Sequence, residues 1–406
     1  MTQKSKTNPI RPDIHMGSIK HLSNPYPMYK AWREKHPVFQ LEPNGFWAVS
    51  TYDDVCFALK HPELFSSIAV KDLFQPAWLD KEYWRNLFFL VEDPPEHTTH
   101  RMLVSGEFAK ETVTLLVPFM GLTAQALLDK IPAHQEIEFI QDFAYPCIGN
   151  LIDHIVGTED SLSLKEVQLQ PEINEKNLSA KPEQKIIEEV QKNILNKVNY
   201  FTAIIQKRRE TPEKDLISKL ISAEVGGAPL TDDMISNAVE LLLLAGTHGP
   251  VHSLSHAMIH LSRRPDLFKR LKSAPDLVPA FIEESLRYSS VAPMVFRRTK
   301  EDVTLSGVTI PEGETVMLFL ASANRDPDIF TDPAEFNITR PNIHKHVAFG
   351  YGPHQCLGAH LTRVKLRVVL ECILKKFNGI SCPEDDQMEW NSWMVNSVNA
   401  LPLSFY

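Results

Sequence analysis

Ten residues late in the chain constrain it more than any other stretch: Phe349-Gly350-Tyr351-Gly352-Pro353-His354-Gln355-Cys356-Leu357-Gly358. They set one cysteine at the mouth of a helix and wrap it in glycines. A helix N-terminus presents free N–H groups and the positive end of the helix dipole, and both favour thiolate over thiol. Glycine lets backbone N–H groups approach the sulfur closely. Cys56, Cys147, Cys372 and Cys382 lie in no such setting and read as inert core filler. The five cysteines are widely spaced and form no CxxC, which argues against a disulfide scaffold or a structural zinc site and fits a reducing cytoplasm.

Lys plus Arg number 42 against 51 Asp plus Glu, a formal balance of −9. That argues against nucleic acid or an anionic membrane surface as partner. The polar start, Met1 to about Lys20, is followed by no apolar leader segment, and the longest pure aliphatic run is Leu241 to Ala245. The expectation is a cytoplasmic protein with no membrane span.

Residues 1–20 read as a loose arm and residues 21–406 as a single domain. A strand is expected at Phe46–Ser50 and a short helix at Asp53–Lys60. An aromatic-rich irregular stretch covers 63–92, helices dominate 95–157, and 158–185 is polar and surface-exposed. Further helices fall at 185–208 and 214–223. Thr231-Asp232-Asp233 caps a long helix that Pro265-Asp266 ends, and another covers 275–288. Alternation at Val303, Leu305, Val308 and Ile310 marks a β segment turning at Pro311-Glu312-Gly313. The stretch 325–355 is mostly loop, and a final helix covers 357–377. The fold class is mainly α with a small β lobe (α+β).

The cysteine loop fits F-x-x-G-x-x-x-C-x-G at Phe349, Gly352, Cys356 and Gly358. In this it resembles the cytochrome P450 family. The resemblance implies a triangular helical fold, haem b as cofactor, and Cys356 as the thiolate on the haem iron, a ligand that favours O–O cleavage. Glu284-Ser285-Leu286-Arg287 matches the family's E-x-x-R, and Arg340 matches the arginine that joins it to brace the haem loop. His97 and Arg101 match its H-x-x-x-R. Arg297, five residues before Asp302, and His354 fall where the family places further partners of the haem propionates.

The distal helix of the family carries an acid and an alcohol that deliver protons. The corresponding stretch is Ala245-Gly246-Thr247-His248-Gly249-Pro250. Ala245 and Gly246 match and leave room for dioxygen. His248 stands at the acid position, Gly249 at the alcohol position, and Pro250 replaces a second threonine. Proline removes an N–H and crowds the carbonyl of Gly246, so a pronounced kink with free carbonyls is expected. An unperturbed imidazole titrates near neutrality, so His248 could pass protons. His248, His252, His256 and His260 recur every four residues, a zinc-binding spacing. The row drifts around the helix, so His248 alone is expected in the distal pocket.

The family's pocket segments correspond to Phe74, Trp78, Phe88, Leu244, Val295, Phe296 and Met394, which imply a lipophilic small-molecule substrate. The implied activity is monooxygenation with electrons from a separate ferredoxin or flavodoxin. Arg363, Lys365 and Arg367, with Lys345 and Lys110, could form a basic patch for that donor. A monomer is expected. The altered relay leaves open a peroxygenase, a dehydration, an isomerisation or a substrate-assisted oxidation. A non-catalytic partner protein or a gas sensor of the same fold are the rivals from other classes.

Overall fold

The computed structural model describes residues 24–41, 45–75, 78–83, 88–158, 183–390 and 394–406. The expected arm at 1–20 and nearly all of the polar stretch 158–185 lie outside these. The longer helices are α1 (Tyr26–Lys35), α2 (Tyr52–Lys60), α3 (Glu96–Ser105), α4 (Lys110–Leu128), α5 (Tyr145–Val156), α6 (Gln184–Glu210), α7 (Asp232–Ser262), α8 (Pro265–Ser273), α9 (Val278–Tyr288) and α10 (Ala359–Lys376).

Helix α7 runs through the middle of the molecule. Thr231 caps it by accepting from the amide of Met234, with Asp232 and Asp233 in its first turn. Val251 to Leu261 are all buried, so the helix is enclosed on every side, as befits one that crosses a core. It packs on α5, while α10 packs on α4 and α9. Two apolar clusters, one around α8–α10 and one around α4–α6, meet on α7.

The β portion supplies the remaining wall. Val38–Gln40, Trp47–Val49, Thr315–Leu318, Val295–Thr299 and Phe65–Ser66 form one sheet in that order. Val316 pairs with Trp47 on one side and Arg297 on the other, which fixes Arg297 on a central strand. Val303–Leu305 and Val308–Ile310 form a separate hairpin that turns at Ser306-Gly307.

Three expectations need correction. The helical stretch 95–157 is interrupted by a short strand, Glu136–Glu138, and a π-helical turn, Ile140–Ala144. Pro265 does not end α7; the helix stops at Ser262, and Pro265 opens α8, where its missing N–H costs nothing. The β segment turns at Ser306-Gly307 and not at Pro311-Glu312-Gly313, so Thr315–Leu318 joins the larger sheet, while α7 runs through Pro250 as one element. Helix α4 is long and apolar enough, by length and composition only, to cross a membrane. Scattered Thr, Pro and Gly hide it from a search for aliphatic runs. Val113, Met120, Ala124 and Leu128 anchor it in the core, while Leu115 and Leu122 are 80% and 73% exposed.

Candidate functional site

A cavity of about 1420 Å³, mouth included, lies between α7 and the loop before α10. Cys356 alone among the cysteines of the described residues lines it. The amide of Cys356 donates to the Phe349 carbonyl (2.8 Å), and that of Gln355 to Gly352 (3.0 Å), curling the loop around the sulfur. Gly352 has φ +72°, and a Cβ there would sit 2.3 Å from the Leu59 carbonyl oxygen. Only glycine lets the loop pass α2 this closely. The thiol is exposed into the cavity. Burial raises its pKa, while the Gly358 N–H and the charges of Arg101 and Arg363 oppose this and favour thiolate.

Four basic residues face the same cavity or its edge. His97 and Arg101 stand one turn apart on α3, Arg297 on its strand, and His354 two residues before the cysteine. The rings of His97 and His354 lie 3.9 Å apart. His354 Nε2 meets the Ser67 hydroxyl at 3.0 Å, and Arg101 donates to the Gln355 carbonyl at 2.6 Å. Burial lowers Arg297 to about 10, and burial with Arg101 lowers His97 to about 4. Neither nitrogen of the buried His97 ring has a partner. No carboxylate pairs with Arg101 or Arg297 among the described residues. Buried donors left in this state call for an anion. A flat dianion carrying a metal that wants a thiolate satisfies all five residues, and haem is such a group.

The loop is held from behind by a buried ion cluster. Glu284, Arg287 and Arg340 are 0%, 0% and 6% exposed. Arg287 donates to both Glu284 oxygens at 2.7 Å, and to the carbonyls of Asn324, Pro333 and Glu335 at 2.9–3.0 Å. Arg340 lies 3.7 Å from Glu284 and donates to the carbonyls of Thr331, Asp332 and Glu335. Glu284 also accepts from the Asn337 amide at 2.7 Å. All five N–H groups of Arg287 are used, the condition under which a buried ion pair holds its surroundings.

On α7 the cavity face carries Ala245, Gly246, Gly249, Pro250 and Ser253. His248 is off this face, one helical step from Gly249, and its Nδ1 meets the Tyr145 hydroxyl of α5 at 3.3 Å. A Cβ on Gly246 would meet Ile152 at 2.6 Å, so that glycine serves the packing of α7 on α5 as well as lining the cavity. A Cβ on Gly249 would meet nothing within 4 Å. The expected free carbonyls are taken: Gly249 accepts from the Ser253 hydroxyl (2.8 Å) and Gly246 from Lys365 (3.3 Å). His252, His256 and His260 are buried. His256 meets the Asn396 carbonyl at 2.8 Å and His260 the Ser289 hydroxyl at 3.1 Å. No group of three metal-binding side chains occurs among the described residues.

The expected pocket residues divide. Val295 lines the cavity. Phe88 is turned by its φ of +48° into the core, stacked on His100, and Phe89 and Leu90 face the cavity in its place. Leu244 is off the cavity face of α7, which Leu241 and Leu242 supply one turn before Ala245 and Gly246. Phe296 points to the other side of its strand, edge-on to Phe46, in a cluster that Met394 also touches. Trp78 packs beside Leu79 and Val190. Phe74 ends a short helix, Ala69–Phe74, and its side chain lies outside the described residues. Sequence reasoning missed Ser253, four residues after Gly249, and Tyr145.

The expected basic patch is also altered. Lys365 is 2% exposed, on the core face of α10. Arg363 is committed to Glu283 by bonds of 2.7 and 2.9 Å. Burial alone would raise Glu283, but His346 and Arg363 hold it down to about 2. Lys345 and Lys110 remain exposed.

Known proteins share this fold. The chain matches the sequence profile described as Cytochrome P450 over residues 15–402. It is 31% identical over 399 residues to the "Biotin biosynthesis cytochrome P450" of Bacillus subtilis, covering 96% of this chain and 98% of that one. Cytochrome P450 CYP109Q5 from Chondromyces apiculatus superposes with a TM-score of 0.85 at 29% identity, covering 98% of both chains. P450BioI, solved with hexadec-9Z-enoic acid-ligated acyl carrier protein, superposes at 0.83 with 29% identity, covering 95% of this chain and 99% of that one. A thiol loop, a cluster of basic side chains and a buried Glu-Arg-Arg brace, with the family match and the full-length relatives, place the chain in the cytochrome P450 family, the haem-thiolate monooxygenases.

Proposed function

We propose that the protein hydroxylates a lipophilic small molecule, using dioxygen and electrons from a separate ferredoxin or flavodoxin. The observation that carries this reading is the cavity itself. Its floor holds Cys356, its edge holds Arg101, Arg297 and His354, with His97 packed behind His354, and its distal wall is almost wholly apolar. Haem, when bound, supplies the oxygen-activating chemistry through its thiolate-ligated iron. The chain's own residues do the rest. Cys356 is the ligand. Arg101, Arg297, His97 and His354 neutralise the propionates. Leu241, Leu242, Phe89, Leu90 and Val295 exclude water and favour an apolar substrate. The fatty-acyl ligand of P450BioI supports an extended hydrocarbon chain as one shape that such a wall accepts.

Proton supply falls to His248. It takes up a proton on the α5 side of α7, with Tyr145 orienting its Nδ1. The space beside Gly249 admits water between His248 and the cavity. Two measurements test the reading. Optical titration of the purified ferric protein with lipophilic metabolites should give a water-displacing, high-spin Soret shift with one compound class. With that compound, His248→Ala should lower coupled product formation about tenfold or more in reductase-driven turnover. Unchanged turnover removes His248 from the relay.

A second reading, a peroxide-driven reaction, is favoured by one observation: the alcohol position is Gly249, without a hydroxyl. Product formation with peroxide that exceeds reductase-driven turnover, and is insensitive to His248→Ala, would establish it.

A further inference from the structure

Two lysines are buried among the described residues. Lys197 pairs with Glu240 at 2.7 Å, the ordinary way to keep an ammonium inside a protein. Lys365 has no carboxylate. It sits on the core face of α10, between Leu361 and Val369, and its Nζ donates to one group, the carbonyl of Gly246 on α7, at 3.3 Å. Cys147 of α5 is the titratable group facing it, and burial pushes that thiol up to about 12, so it offers no anion.

The carbonyl is a particular one. Gly246 lies four residues before Pro250, so its helical donor would be the amide of residue 250, which proline lacks. A buried carbonyl without a donor is costly, and so is a buried ammonium without an acceptor. Each answers the other.

We propose that Lys365 replaces the N–H that Pro250 removes, and so positions the distal helix from the helix that follows the cysteine ligand. It is a positioning residue whose value depends on Pro250. Helix α10 begins three residues after Cys356 and reaches α7 nine residues after it. One rigid helix then sets both walls of the cofactor slot. This accounts for α7 running through Pro250 without a break. The inference rests on the pairing of Lys365 with Gly246 and would survive a different substrate or oxidant.

The test compares Lys365→Met, Pro250→Ala and the double variant with the wild type. Hydrogen exchange of the 246–253 amides is read in the purified protein, and the C–O stretch in its ferrous carbon monoxide complex. Lys365→Met should speed exchange about tenfold or more and shift the stretch, as expected when a buried carbonyl loses its donor. Adding Pro250→Ala restores the helical N–H, so both readouts should return toward wild type. In the Pro250→Ala background, losing Lys365 should cost nothing. The same change in exchange with and without Pro250→Ala, or no change at all, overturns the proposal. If Lys365→Met alone is insoluble, recovery of the double variant supports the coupling, and insolubility of both overturns it. The exchange readout needs no carbon monoxide complex, so failure of the haem reading and failure of this pairing are distinguishable.

Discussion

Gly249 is where a single residue departs most from what proton delivery asks of it. It lies on the cavity face of α7, and the space beyond its Cα is open. A Cβ there would meet nothing within 4 Å, so the main local cost of a threonine is that of a β-branched residue next to proline. If the missing hydroxyl limits proton supply, Gly249→Thr should raise the product formed per electron consumed about two- to tenfold, within the range assigned to positioned acid–base groups. Comparing product with NADPH and oxygen consumption checks it. At this scale the sequence was informative where spacing dictates position. His97 and Arg101, four apart, share a face of α3, and Glu284 and Arg287, three apart, meet on α9. It misled where a single backbone angle decides, as at Phe88, whose positive φ hands the cavity to Phe89 and Leu90.

Helix α7 shows what an element does that its residues do not reveal singly. Pro250 removes a helical donor, and a lysine 115 positions later in the chain answers the freed carbonyl, while the helix continues through the proline. No local pattern carries that information. The helix also encloses three histidines in its apolar surroundings. Burial, then His248 and His256, lowers His252 to about 3, and burial lowers His256 and His260 as well. The unfolded chain binds protons at these rings near pH 6.5 and the native one does not. The contribution to stability is therefore full above about pH 6.5 and is lost as the pH falls, for His252 down toward 3, with His256 and His260 acting in the same direction. Urea unfolding at a series of pH values should show this acid limb. His252→Leu should reduce its slope by about one proton while leaving stability above pH 7 within about 1 kcal/mol.

For the molecule as a whole, charge and shape decide how electrons arrive. The net balance is −9, and the expected docking patch is smaller than the sequence suggests, with Arg367 part-exposed beside Glu371. Arg363 and Lys365 are spent internally, leaving Lys110 and Lys345 exposed. If an acidic donor docks on this face, Lys110→Ala with Lys345→Ala should slow reduction about tenfold at low salt and flatten its salt dependence. Stopped-flow reduction at several ionic strengths measures this. The α+β architecture was legible from helical periodicity and one alternating segment. The assignment of basic residues to the surface was not, because periodicity marks the core face of α10 only when the lysine on it is taken as seriously as its leucines.

The saturated guanidinium of Arg287 has a consequence for how the chain comes off the ribosome. Its five donors end on Glu284 and on carbonyls at 324, 333 and 335, 37 to 48 residues further along. Until that stretch emerges, α9 carries a charge that it cannot bury. The clamp can close once residue 335 has emerged, 21 residues ahead of Cys356, so the cysteine loop emerges onto a brace whose partners are already present.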